Sequence, residues 1–64
     1  MQRLEYKGYV IEIFTTKKGD GWTWALTIDG IVPARNRDPD CCETLALALS
    51  VAELVAYALI DEGF

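Results

Sequence analysis

The stretch DCCETLALALSVAELVAYALIDE, residues 40–62, constrains the fold of this chain more than any other. It is apolar through nearly every helical turn, so a helix built from it must find a surface to cover most of its circumference. Placed at about 100° per residue, Cys41, Leu45, Ala48, Ala52, Val55 and Leu59 form one stripe. A narrow polar strip of Glu43, Ser50, Glu53 and Tyr57 lies opposite. Ala48 and Ala52 are small enough to admit a close neighbour. Leu47, Val51, Leu54 and Ala58 fall on a flank beside the polar strip. Either the rest of the chain covers that flank or it is an interface, because several aliphatic side chains left in water favour association. Ser50 and Glu53 interrupt the run, which falls short of a clean membrane span.

Both ends of the helix are marked. Asp38 or Asp40 can cap its start; Pro39 suits the first turn in the former case, and Asp40 with Glu43 has capping-box spacing in the latter. Gly63 marks the exit. Asp61 and Glu62 sit at the negative end of the helix dipole, where their charge is disfavoured. Such a placement is either chance or retained for a partner.

The residues before this helix read as strands. Residues 3–6 form a short one, Lys7-Gly8 is a hairpin connection, and residues 9–15 (YVIEIFT) are β-branched and aromatic almost throughout. A polar loop, Lys17-Lys18-Gly19-Asp20-Gly21, precedes WTWALTI at 22–28, where Trp22, Trp24, Leu26 and Ile28 alternate with Thr23, Ala25 and Thr27. Asp29-Gly30 is the next turn. Ile31-Val32 extends the sheet briefly and Pro33 stops it. The expected architecture is α+β: a three-stranded antiparallel sheet within residues 3–32, a connector at 33–39, and one long helix at 40–62, in β-β-β-α order within a single domain, 1–64. Tyr6, Tyr9, Ile11, Ile13, Trp22, Trp24, Leu26 and Ile28 supply the sheet's half of the core.

A chain of 64 residues buries only about 60% of its unfolded surface. It therefore leans on good packing, association or a partner. Its charge is divided. Residues 1–37 hold all six bases and four acids, whereas residues 38–64 hold Asp38, Asp40, Glu43, Glu53, Asp61 and Glu62 and no base. This asymmetry argues against a nucleic-acid binder using its whole surface and for a basic partner met by the C-terminal half. General solubility is the alternative reason for the acids.

Chemistry-bearing residues are sparse. With no histidine, neither a Ser-His-Asp nor a Cys-His arrangement can be drawn. Cys41 and Cys42 are adjacent, ill-suited to a disulfide and too few for a closed zinc site, so they read as core. No catalytic residue, cofactor or metal is expected. Trp22 and Trp24 share the face that the helix must cover and read as core rather than as base-stacking residues. Lys17, Lys18, Arg35 and Arg37 are the candidates for phosphate contact if the chain is instead a nucleic-acid-binding module. The N-terminal MQRLEYKG has no apolar signal region, and a reduced cytoplasmic setting, that of a bacterial host, is expected.

In its order of elements, from YKGYVIEIF through GWTWALTIDG to CCETLALALSVAELVAYALIDE, the chain resembles the small phage-encoded anti-CRISPR proteins, in particular a type I-C inhibitor built as a three-stranded sheet flanking one C-terminal helix. These inhibitors share no common motif, so the resemblance carries architecture and role rather than signature residues. It implies suppression of a type I CRISPR surveillance complex by occupying the basic surface that reads target DNA near its PAM. Asp38, Asp40, Glu43, Glu53, Asp61 and Glu62 would then stand in for phosphates, with Leu47 and Leu54 as an apolar anchor. The implied partner is protein, with no direct nucleic-acid contact and no membrane, and the chain is a monomer or homodimer. A small dimeric regulatory or antitoxin-like protein, associating through the Leu47/Val51/Leu54/Ala58 flank, is the competing reading.

Overall fold

Three two-residue turns fold the first half of the chain into a meander. In the computed structural model, which describes residues 2–36 and 42–64, β1 (Gln2–Tyr6), β2 (Tyr9–Lys18), β3 (Gly21–Ile28) and β4 (Ile31–Asn36) form one antiparallel sheet in the order β1-β2-β3-β4. One helix, α1 (Leu45–Asp61), follows. Lys7-Gly8 and Asp29-Gly30 both take positive φ at both positions, 51° and 84° in the first and 51° and 83° in the second. That is the pattern of type I′ turns, whose twist matches the strands they join. Asp29 also reaches sideways. Its Oδ1 accepts from the Val10 N–H at 2.9 Å and its own N–H donates to the Val10 carbonyl at 2.9 Å, so the third turn is bonded to the start of β2.

The sheet has four strands where the sequence predicts three. Pro33 does not end the chain's extended course; β4 runs on to Asn36. Proline survives there because β4 is an edge strand and the ladder is irregular beside it. Ile28 pairs with Ile31 but Leu26 with Ala34, so β4 spends an extra residue between these pairs. A bulge on an edge tolerates a residue that has no N–H to donate. The expected connector at 33–39 is therefore strand as far as Asn36, and 37–39 lie outside the described residues. Likewise, the loop expected at 17–21 is mostly strand. β2 and β3 pair out to Lys18 and Gly21, leaving a tight Gly19-Asp20 connection.

The helix starts later than residue 40. Cys42, Glu43 and Thr44 precede it, and Thr44 is the N-cap, its hydroxyl accepting from the Leu47 N–H at 3.1 Å. The Trp22 N–H donates to the Cys42 carbonyl at 2.8 Å. That bond commits Cys42 to β3 and leaves Thr44 as the first side chain able to cap. Asp38, Pro39 and Asp40, the expected cap residues, lie outside the described residues, as does Cys41. At the other end Gly63, at φ 103°, donates to the Ile60 carbonyl, and the Phe64 N–H donates to that of Leu59, both at 3.1 Å. This is a Schellman closure, and it needs glycine at the left-handed position.

α1 lies across β2 and β3. Its contact line is Ala48, Ala52, Ala56 and Ile60, set against Ile11, Ile13, Trp24, Leu26 and Ile28, with Cys42 closing one end of the core. Compared with the expected stripe, this line is rotated by part of a turn. Ala56 and Ile60 replace Val55 and Leu59 at the centre, those two being only partly buried, and Leu45 is exposed at the helix start. The rotation brings three alanines into one column at intervals of four, which lets the helix sit closest to the sheet. Tyr57, placed on the polar strip by sequence, packs on Tyr6 with ring centroids 4.5 Å apart. Trp24 is buried and Trp22 partly so, as core residues.

A larger side chain in the alanine column has no space to enter. Ala52→Leu is expected to lower stability by about 1–3 kcal/mol through overpacking, read as a shifted midpoint in urea unfolding. Ser50→Ala, on the exposed side of the same helix, is expected to stay within about 0.5 kcal/mol of the parent.

Candidate interaction surface

Because α1 meets the sheet along its alanine column, the residues diametrically opposite point away from every strand. Leu54 is 67% exposed and Leu47 42% exposed; Ala58 is also exposed and Val51 is half-buried. The steps from 47 to 51, 54 and 58 alternate four, three and four. That spacing lines one seam along a helix, as in the a and d positions of a coiled coil. Of the two sequence-based alternatives, the described residues leave Leu47, Leu54 and Ala58 uncovered, while Val51 packs against the core. The sheet is on the far side of the helix, which lies against β2 and β3.

The acids around this seam divide into engaged and disengaged groups. Asp61 is engaged: the Lys7 Nζ lies 2.6 Å from its Oδ1, and the Tyr6 hydroxyl donates to Oδ1 at 3.0 Å and to Oδ2 at 3.1 Å. Its carboxyl is held below the usual carboxylate range, mainly by the Lys7 hydrogen bond and then by that of Tyr6. Lys7 is correspondingly raised, first by the Asp61 hydrogen bond and then by its charge. Glu53 is half-buried and accepts from the Gln2 amide. Both acids fasten the helix to the first hairpin. Glu43 and Glu62 are exposed at opposite ends of the helix, and no hydrogen bond or ion pair joins their side chains to other described residues. Asp38 and Asp40 lie outside the described residues. Of the eight partner-binding residues expected from sequence, Leu47, Leu54, Glu43 and Glu62 thus form one accessible set along α1.

The bases are arranged differently. Lys17 and Lys18 end β2, Arg35 stands on β4, and Arg37 lies outside the described residues. Lys18 and Arg35 share the sheet face opposite α1, as their register shows. That face also carries Phe14, 43% exposed, to which the sequence reading gave no role. The signal was present in the strand's own alternation. Ile11 and Ile13 face one way, so Glu12 and Phe14 must face the other.

Among the described residues, no group of histidine, cysteine or acidic side chains is placed to hold a metal ion, and no helix is long and apolar enough to cross a membrane. Cys42 is fully buried in the core, in keeping with a packing role. No family model matches the chain, and neither a curated protein nor a solved structure matches it.

The Lys7–Asp61 contact gives stability a defined pH dependence. A carboxyl held low in the folded state contributes fully above its unfolded value and loses that contribution as pH falls through the folded value. A lysine held high contributes below its unfolded value and loses it as pH rises through the folded one. Stability from this pair is therefore greatest between the ordinary carboxylate and lysine ranges and declines on both sides. Both groups are exposed, so the effect is small and screened by salt. Asp61→Asn is expected to flatten the acid limb of a plot of unfolding midpoint against pH, relative to the parent protein.

Proposed function

We propose that this chain is a non-catalytic interaction module that docks a basic protein partner on the outer face of α1. The observation that carries this reading is the exposed seam of Leu47, Leu54 and Ala58 on a segment without one basic side chain. Fully burying one such leucine is worth roughly 1.5–3 kcal/mol, so a partner that covers two of them gains substantially. Glu43 and Glu62 lie toward the two ends of the seam, where charge-assisted hydrogen bonds to lysine or arginine would fix the partner's register. Charge also separates this reading from a helix-to-helix homodimer. Two copies packed through α1 would bring acid against acid with no base to offset it.

The narrower reading is inhibition of a type I CRISPR surveillance complex, with the basic DNA-reading surface as the partner. It is supported by the resemblance in element order and by the acidic helix half. The fourth strand departs from the three-stranded pattern behind that resemblance. The engagement of Asp61 and Glu53 reduces the described acids available for contact to Glu43 and Glu62.

The test is target-DNA binding by a purified type I-C complex incubated first with this protein. Inhibition that weakens at least tenfold (about 1.4 kcal/mol) in Glu43→Lys/Glu62→Lys and in Leu47→Ser/Leu54→Ser is the expected result. Undisturbed DNA binding at saturating protein removes this complex's DNA-reading surface as the partner. Inhibition that survives both double variants would place the contact elsewhere on the chain.

A further inference from the structure

The sheet face turned away from α1 holds a second feature, one that the docking surface does not use. Phe14 pairs with Ala25, and Ala25 with Arg35, so these three stand in one row across β2, β3 and β4. Thr16 and Thr23 make the next row, and Lys18 follows on β2. Ala25 is too short to fill its place. The row therefore dips between a phenyl wall and a guanidinium wall, forming an open depression of about 220 Å³ rimmed by the two threonines. Phe14 leaves 43% of its surface in water there. Among the described residues no carboxylate pairs with Arg35 or Lys18, the ion pair present being Lys7–Asp61. The acids of this face lie toward its other end: Glu12 neighbours Phe14 along β2 and faces Arg3, and Glu5 stands beyond, opposite Val10. The face thus has a cationic end with an aromatic ring and an end where acids gather.

We propose that this depression binds one nucleotide of a single-stranded nucleic acid, with the base on the Phe14 ring and the two phosphates flanking it on Arg35, in the depression, and on Lys18, beyond it along β2. An exposed aromatic on a sheet is a sequence-tolerant stacking platform, because every base presents a π-face. The planar guanidinium matches phosphate oxygens in pairs, and the lysine adds a point charge. Stacking on the ring takes an unpaired base, which a duplex does not offer. Glu12 repels phosphate, so the strand's backbone runs toward Lys18 rather than toward Glu5. This departs from the sequence expectation of no direct nucleic-acid contact. It rests on the opposite face from the docking surface, so the two stand or fall separately.

Fluorescence anisotropy with a short labelled oligothymidylate at low salt tests it. Comparison arms use an abasic strand of equal length, free thymidine monophosphate as competitor, and a glutamate-rich peptide as competitor. The expected result is saturable binding with a log–log salt slope of about −1.4, from two phosphate contacts on a single strand. Binding should weaken at least tenfold in Phe14→Ala and in Arg35→Ala, and tighten in Glu12→Gln, each variant keeping the parent's circular dichroism. Absence of binding at low salt, equal affinity for the abasic strand, or insensitivity to Phe14→Ala would overturn the proposal. So would competition by the monophosphate or the acidic peptide at concentrations matching the strand, since either would identify a different ligand.

Discussion

The close seating of α1 on the sheet is the contact on which the rest of this structure depends. Ala48, Ala52 and Ala56 present almost no side chain, so the helix backbone approaches the row of Ile11, Ile13, Leu26 and Ile28. The bulk that fills the interface comes from the strands. A small domain gains from this arrangement, because branched strand residues lose little side-chain freedom on burial and pack densely. The contact also fixes what the helix shows to water. With the alanine column facing inward, Leu54 and Leu47 must face outward.

The clasps at the edges of this contact follow the same logic. Gln2 with Glu53, and Tyr6 and Lys7 with Asp61, tie β1 and its turn to one side of α1. Tyr9 adds a hydroxyl bond to the Phe64 carbonyl, with its ring edge-on to that of Phe64. Acids that look like a charged partner surface in the sequence are, in these two cases, part of how the helix is held. The leucine seam and the exposed acids Glu43 and Glu62 near its ends take no part in these clasps. The opposite side of the molecule presents a different chemistry, with Phe14, Lys18 and Arg35 on an uncovered sheet. One thin domain therefore offers two unlike faces, apolar-acidic and aromatic-basic.

Much of this was legible in the sequence. The alternation of WTWALTI placed Trp24, Leu26 and Ile28 in the core, and Lys7-Gly8 and Asp29-Gly30 marked their turns, since few residue pairs accept two positive φ angles. The fourth strand was hidden by Pro33, a residue that ends a central strand but not a bulged edge one. The true cap, Thr44, was masked by stronger-looking acids upstream, and the Trp22–Cys42 backbone bond that decides the matter leaves no mark on side-chain pattern. The helix rotation was ambiguous for a related reason. When nearly every position is apolar, a hydrophobic stripe can be drawn at several angles, and only the steric preference for alanine at the closest approach selects one. The roles of Asp61 and Glu53 depend on partners more than fifty residues away in the chain, beyond the reach of local spacing.

In this fold the Leu47–Leu54 seam is surface and not core. Urea unfolding of Leu54→Glu measures it most directly. A midpoint displaced by no more than about 0.5 kcal/mol, with unchanged slope, is expected for a side chain that already stands in water. A loss of about 3 kcal/mol or more, the effect of burying an unpaired charge, would show that the seam is covered and that α1 has no free outer face.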